Sequence, residues 1–172
     1  LLLKLSQVLR YVLRKTEDNF VPLEEELAYL QDYIDLQRLR SEGVANIRFQ
    51  VRGAPGGWRI APLILLPFVE NAFKYGVAGN ISAPFVHIDI ELKEGALFFI
   101  AKNKLGRLDE AASGESSGIG LANTRRRLAL LYPRRHELAA GRVGEEYVVK
   151  LALELHAVRR QPNRKNHEMS DR

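Results

Sequence analysis

Apolar residues recur at helical spacing at the start of the chain. In "LLLKLSQVLRYVLRK", residues 1–15, Leu2, Leu5, Leu9 and Val12 follow a 3-4-3 spacing, and Leu1, Val8 and Leu13 widen the stripe. This predicts an amphipathic helix whose apolar face needs a partner. After the polar break "TEDN", Pro22 opens a second helix, with Glu24, Glu25 and Glu26 in its first turn, where acids oppose the positive end of the helix dipole. Leu23, Leu27, Leu30 and Ile34 continue it at 4-3-4, and Gly43 is placed to end it.

From Asn46 the period changes to two. Ile47, Phe49 and Val51 alternate with Arg48, Gln50 and Arg52, a half-buried strand stopped by "GAPGGW". Helix is expected next, from Pro62 to about Tyr75, with Pro67 forcing a kink or a start closer to Leu66. Val86–Leu92 and Ala96–Ala101 read as strands joined by the turn "KEGA". Lys104–Ser117 has little to bury and reads as a long mobile loop; "GIGLANTRRRLALLYP" restarts helix, and His136–Leu155 closes with a hairpin turning near "GRVGEE". This order predicts an α+β fold, a two-layer sandwich of a largely antiparallel sheet with helices on one face, preceded by amphipathic helices.

Composition changes little in this picture. The 172 residues suit one domain with an appendage, and 46% hydrophobic with 27% charged residues is ordinary for a globular chain. With no cysteine, disulfides, cysteine metal sites and thiol nucleophiles are excluded. The longest apolar run, Ala61–Val69, is too short to span a bilayer. The chain opens without Met inside a periodic apolar segment and is expected to be a fragment of something longer. The net charge of +5 is concentrated in the tail, where residues 158–172 hold five Lys or Arg against Glu168 and Asp171; this predicts a solvated basic tail, and no nucleic-acid partner is expected. His87, His136, His156 and His167 lack metal-ligand spacing with one another.

Two stretches carry candidate chemistry. On a helix, Glu70, Asn71, Lys74 and Tyr75 of "LPFVENAFKYG" are related by three or four residues and can share one side, offering a carboxylate, an amide, an ammonium and a ring. Such a set suits magnesium-bound nucleotide: oxygen for the hard cation, a cation for phosphate, a ring for a base. The plainer alternative is a Glu70–Lys74 salt bridge beside an exposed Asn. In "SSGIGLANTRRRL", Gly118 and Gly120 permit a tight turn whose following helix directs free N–H groups at an anion, or they simply make a loop-to-helix turn. Arg125, Arg126 and Arg127 read as a solvated face or as a γ-phosphate contact.

"PFVENAFKYG" resembles the N box of the GHKL ATPases (gyrase, heat-shock chaperone 90, histidine kinases and MutL), and "GIGLANTRRRL" resembles their second glycine box. With "VPLEEELAYLQDYIDLQRLR" and "APLILLPFVENAFKYG", the chain resembles the LytS/YehU type of sensor histidine kinase over about residues 2–155. The resemblance implies a Bergerat-type ATP-binding fold in which Asn71 ligates Mg2+, Lys74 contacts phosphate, Tyr75 lies near adenine, and Gly118, Gly120 and Leu121 shape the phosphate end. Glu70 is the candidate for polarising the nucleophile. Where gyrase-like members carry a general base this chain has Pro67, which implies phosphoryl transfer rather than vigorous ATP hydrolysis.

Where the first glycine box usually has an Asp for the adenine amine, "KNKLG" places Asn103, which accepts a hydrogen bond but brings no charge. By the resemblance, residues 1–41 are the end of a helical dimerisation and phosphoacceptor region, 42–156 the catalytic domain and 157–172 the tail. The acceptor His, in a motif like "NPHFLFN", would precede residue 1. ATP, the upstream phosphoacceptor helix, a response regulator and a second copy paired through the N-terminal helices are the implied partners, in a cytoplasmic portion of a protein anchored in the bacterial inner membrane. The alternative reading is a degenerate nucleotide-binding fold acting as a non-catalytic dimerisation module.

Overall fold

The computed structural model describes residues 19–77, 81–106 and 118–158. The helix expected over residues 1–15, most of the loop expected over 104–117 and all but the first two residues of the basic tail lie outside the described residues.

Strand β1 (Val21–Pro22) leads directly into helix α1 (Leu23–Arg40), whose first turn carries Glu24, Glu25 and Glu26 and whose last turn carries Arg38 and Arg40. Leu23, Leu27, Leu30 and Ile34 are buried in the same core as the sheet, so the 4-3-4 stripe is the inner face of α1. The Ser41 amide caps the helix on the Gln37 carbonyl at 2.9 Å. The chain then turns through Glu42 and Gly43, both at positive φ, into β2 (Asn46–Arg52).

The main sheet has the order β2-β4-β5-β7-β6, with β4 at Phe85–Lys93, β5 at Ala96–Lys104, β6 at His136–Val143 and β7 at Glu146–Glu154. β2 runs parallel to β4 and every other neighbouring pair is antiparallel, as the mixed, mostly antiparallel expectation requires. The β4–β5 hairpin turns at Glu94 and Gly95, both at positive φ, the twist-matched geometry of a two-residue turn. Along β4 and β5, Val86, Ile88, Ile90, Leu97, Phe99 and Ala101 point to one face, and that face is covered by α1, α2 (Leu66–Gly76) and α3 (Gly118–Leu131).

A small second sheet was not anticipated. It has the order β1-β3-β8, where β3 is Trp58–Ile60 and β8 is His156–Ala157. It ties the entrance of α1 to the end of β7, and Phe20, Tyr132 and His156 stack beside it with Phe20–His156 ring centroids 4.1 Å apart.

Of the two outcomes expected from Pro67, a kink or a start closer to Leu66, the structure shows the second: the helix begins at Leu66. Pro67 then sits in the first turn, where a missing N–H costs nothing because those amides have no acceptor within the helix. Ala61–Leu65 is turn, with Leu63 at φ 57, and its backbone is satisfied from outside: the Ala61 amide donates to the Tyr132 hydroxyl at 2.7 Å. At the other end of α2 the sheet comes very close. A Cβ on Gly76 would stand 2.7 Å from Asn103 Cβ, 2.8 Å from the Phe85 carbonyl oxygen and 2.9 Å from Val86 Cγ2.

Gly76→Ala is therefore expected to destabilise by at least about 1–3 kcal/mol, the usual cost of overpacking, since a backbone carbonyl cannot yield as a side chain can. Urea unfolding with an unchanged midpoint would contradict this packing. Tyr132 is fully buried, and that burial, only partly offset by the hydrogen bond from Ala61, pushes its hydroxyl up to about 12. Between pH 10 and 12 the unfolded chain ionises first, so stability present below pH 10 is lost as pH rises, by roughly 2–3 kcal/mol for this tyrosine. Tyr132→Phe is expected to cost about 1–3 kcal/mol at neutral pH, by orphaning the Ala61 amide, and to flatten the loss between pH 10 and 12. An unchanged alkaline slope in pH-dependent unfolding would count against the assignment.

Candidate active site

Helix α2 buries Phe68, Val69, Ala72, Phe73 and Gly76 and turns its polar residues outward. At about 100° per residue, Asn71 and Tyr75 lie on one flank, while Glu70, Phe73 and Val77 lie on the other. The second flank and Lys74 line a groove of about 380 Å³, closed on its far side by Tyr33, Gln37 and Arg40 of α1 and by Ser41. Lys74 stands between the flanks with its Nζ 5.0 Å from the Tyr75 ring centroid, in cation–π range. The four residues expected on one side are thus divided: Lys74 joins Tyr75, Asn71 is a helical turn before Tyr75, and Glu70 opens toward α1.

The electrostatics follow this division. Glu70 is exposed as a residue, yet partial burial of its carboxyl in the groove raises its pKa. Its charge in turn helps to raise two tyrosines of α1, after burial as the main cause: Tyr33, and Tyr29, whose hydroxyl is pushed up to about 12. A carboxyl in the usual range would be a weaker proton acceptor than this one.

Asn103 lies on the helix-facing side of β5 and is 2% exposed. It pairs in register with Val86 on β4 and Tyr147 on β7, and its Nδ2 donates to the Lys104 carbonyl at 3.0 Å. The close packing of Gly76 on its Cβ sets it directly against the carboxyl end of α2, next to Tyr75. Between the two stretches the contact is that of Gly76 with Asn103.

Helix α3 begins at Gly118, inside the glycine stretch. Among the described residues a Cβ on Gly120 would meet nothing within 4 Å, and the Thr124 hydroxyl donates to the Gly120 carbonyl at 2.9 Å. Leu121 is half-buried against the core, with Leu128 and Tyr132 anchoring the rest of the helix. Of the three arginines weighed for a phosphate, Arg127 is occupied: its Nη2 donates to the Pro62 carbonyl at 2.6 Å. Arg125 and Arg126 are exposed.

The described histidines have structural surroundings. His136 Nδ1 is 2.8 Å from the Tyr132 carbonyl, His87 stacks on Phe85, and His156 stacks in the aromatic cluster beside the small sheet. Among the described residues no group of three or more His, Cys, Asp or Glu is placed to hold a metal ion. The donor set at α2 fits magnesium in another way, one amide oxygen at Asn71 with a neighbouring cation for phosphate, because this ion keeps several waters and takes phosphate oxygens rather than an all-protein cage.

Two residues to which the sequence reading gave no role at the site lie at the carboxyl end of α2 or ahead of its start. Gly76 is one, and Glu26 is another. Glu26 is fully buried, and its Oε2 accepts from the Leu63 amide at 2.9 Å, ahead of α2. The signal for Glu26 was its place on the apolar stripe, three residues after Leu23 and four before Leu30.

The sequence profile of the histidine kinase family matches residues 1–44. An uncharacterized sensor-like histidine kinase of Staphylococcus epidermidis is 37% identical over 73 residues, and the sensor protein kinase HptS of Staphylococcus aureus is 36% identical over 73 residues. Each of these matches covers 42% of this chain and only 14% of the relative. The histidine kinase domain of the Erythrobacter litoralis EL346 blue-light activated histidine kinase superposes with a TM-score of 0.57 at 15% identity, covering 88% of this chain and 75% of that one. A nucleotide-free catalytic domain of histidine kinase ThkA gives 0.54 at 11% identity, over 78% and 93%. Full-length ShkA in complex with AMPPNP gives 0.56 at 18%, over 90% and 35%. Residues 1–44 thus match the histidine kinase family, and the chain shares the fold of histidine kinase catalytic domains.

Proposed function

We propose that the chain is the ATP-binding catalytic portion of a sensor histidine kinase and delivers the γ-phosphoryl group of Mg-ATP to a histidine upstream of residue 1. The observation that carries the reading is the seating of Gly76 on Asn103, which joins the Asn71–Lys74–Tyr75 helix to a buried amide on β5. The glycine turn of α3 supplies a helix start for phosphate.

In this reading Asn71 offers its side-chain oxygen to magnesium, which when bound neutralises phosphate charge. Lys74 draws the phosphates toward α2, and Tyr75 packs on the base. Asn103 accepts from the adenine amine through its amide oxygen, its Nδ2 being engaged with the Lys104 carbonyl. Gly118, Gly120 and Leu121 direct the first amides of α3 at the phosphate end. Phosphoryl transfer asks for positioning and charge neutralisation above all. The Pγ–N bond to the imidazole forms as the bond from Pγ to the β–γ bridging oxygen breaks, ADP leaves, and the imidazole loses a proton. Glu70 serves as the acceptor of that proton for a histidine entering by the α1 groove, where its carboxyl opens and its raised pKa favours proton capture.

The wider assignment belongs to the same proposal. Residues 1–41 end a helical dimerisation and phosphoacceptor region and 42–156 form the catalytic domain. A response regulator is the next partner, and the whole protein is anchored in the membrane. Among the described residues no helix is long and apolar enough to cross one.

Calorimetry of the chain with ATP and magnesium is expected to give saturable binding that Asn71→Ala weakens at least tenfold. A folded chain that takes up no ATP to millimolar concentration would refute the kinase reading and favour a non-catalytic dimerisation module.

A further inference from the structure

Three side chains, one from α1, one from α3 and one from the residue just past α3, meet on one tripeptide. The Ala61 amide donates to the Tyr132 hydroxyl at 2.7 Å, Arg127 Nη2 donates to the Pro62 carbonyl at 2.6 Å, and the Leu63 amide donates to Glu26 Oε2 at 2.9 Å. Leu63 is held at φ 57, a left-handed conformation that is strained for a leucine and persists only where the surroundings impose it. Three residues later the chain enters α2, where the Phe68 and Val69 amides both reach back to the Leu65 carbonyl.

Nearly all buried backbone groups find partners, and an uncharged group usually suffices. Here the partner of Leu63 is a fully buried carboxylate, an expensive group to place in a core. The three bonds fall on consecutive residues, so Glu26, Arg127 and the Tyr132 hydroxyl converge on the same few atoms. Each charged holder also belongs to an element that reaches the candidate site: α3 starts at the glycine turn, and the far end of α1 lines the groove that holds Glu70.

We infer that Glu26 and Arg127 are positioning residues of the proposed kinase site: they fasten Ala61–Leu63 to α1 and α3, so that a shift of either helix moves α2 and with it Asn71 and Lys74. What α2 positions rests on the proposed function; the fastening itself does not.

Amide hydrogen exchange separates the two. Glu26→Ala is expected to speed exchange at least tenfold at Leu63 and along the first turns of α2, including Phe68 and Val69, while β5 amides keep their protection. Affinity for Mg-ATP falls at least fivefold in the same variant. Glu26→Gln, which keeps an acceptor oxygen, restores both. If Glu26→Ala does not fold, Arg127→Ala is expected to give the same exchange pattern with the buried carboxylate intact. Acceleration confined to Leu63, or spread equally over β5, overturns the fastening. Loosened α2 amides with wild-type Mg-ATP affinity overturn the positioning role. A wild-type chain that fails to bind ATP removes the kinase reading, and the exchange pattern alone then decides the fastening.

Discussion

The seating of α2 on the sheet is the constraint from which the candidate site follows. At its carboxyl end there is no room for even one methyl group, because Gly76 lies against Asn103 Cβ, the Phe85 carbonyl and Val86. At its amino end the chain cannot drift either, since Ala61, Pro62 and Leu63 are each held by a side chain from elsewhere in the fold. Close-packed interiors transmit small displacements rather than absorbing them, so a helix pinned at both ends carries its polar residues to fixed places.

What it carries is divided by helical geometry. Asn71 and Tyr75 lie on one flank, Lys74 reaches the Tyr75 ring, and Glu70 opens into the groove beside α1, where its charge acts on Tyr29 and Tyr33. Nucleotide contacts and proton acceptance are thereby assigned to neighbouring flanks of one helix, with Lys74 between them, in the proposed mechanism. An acceptor arriving past α1 meets the carboxyl without displacing the residues that hold ATP.

Much of this was legible in the sequence because it depends on period and turn chemistry. The change from the 4-3-4 stripe of Leu23–Ile34 to the alternation of Ile47–Val51 marks helix then strand, and "KEGA" and "GRVGEE" mark the hairpins. Asn71 and Lys74 stood out by helical spacing and side-chain chemistry, while Asn103 came from the resemblance alone and would not have stood out by pattern, since it occupies an inward position on β5 like its apolar neighbours. The small sheet was hidden because strands of two or three residues have no period, and its partners Val21, Ile60 and His156 are far apart in the chain. Pro67 signalled the later start of α2 at Leu66, whereas the hold of Glu26, Arg127 and Tyr132 on Ala61–Leu63 is a tertiary effect with no local signature. Glu26 itself read as a helix-dipole acid, when its place on the buried stripe pointed inward.

The most direct test of the account is a two-dimensional amide spectrum of the chain titrated with magnesium and a non-hydrolysable ATP analogue. Shifts concentrated at Asn71, Lys74, Gly76, Asn103 and Gly120, with Trp58 and the Glu94–Gly95 turn unmoved, are the predicted result. Shifts centred on Trp58, Lys93 and Arg135, or none at all, would contradict it.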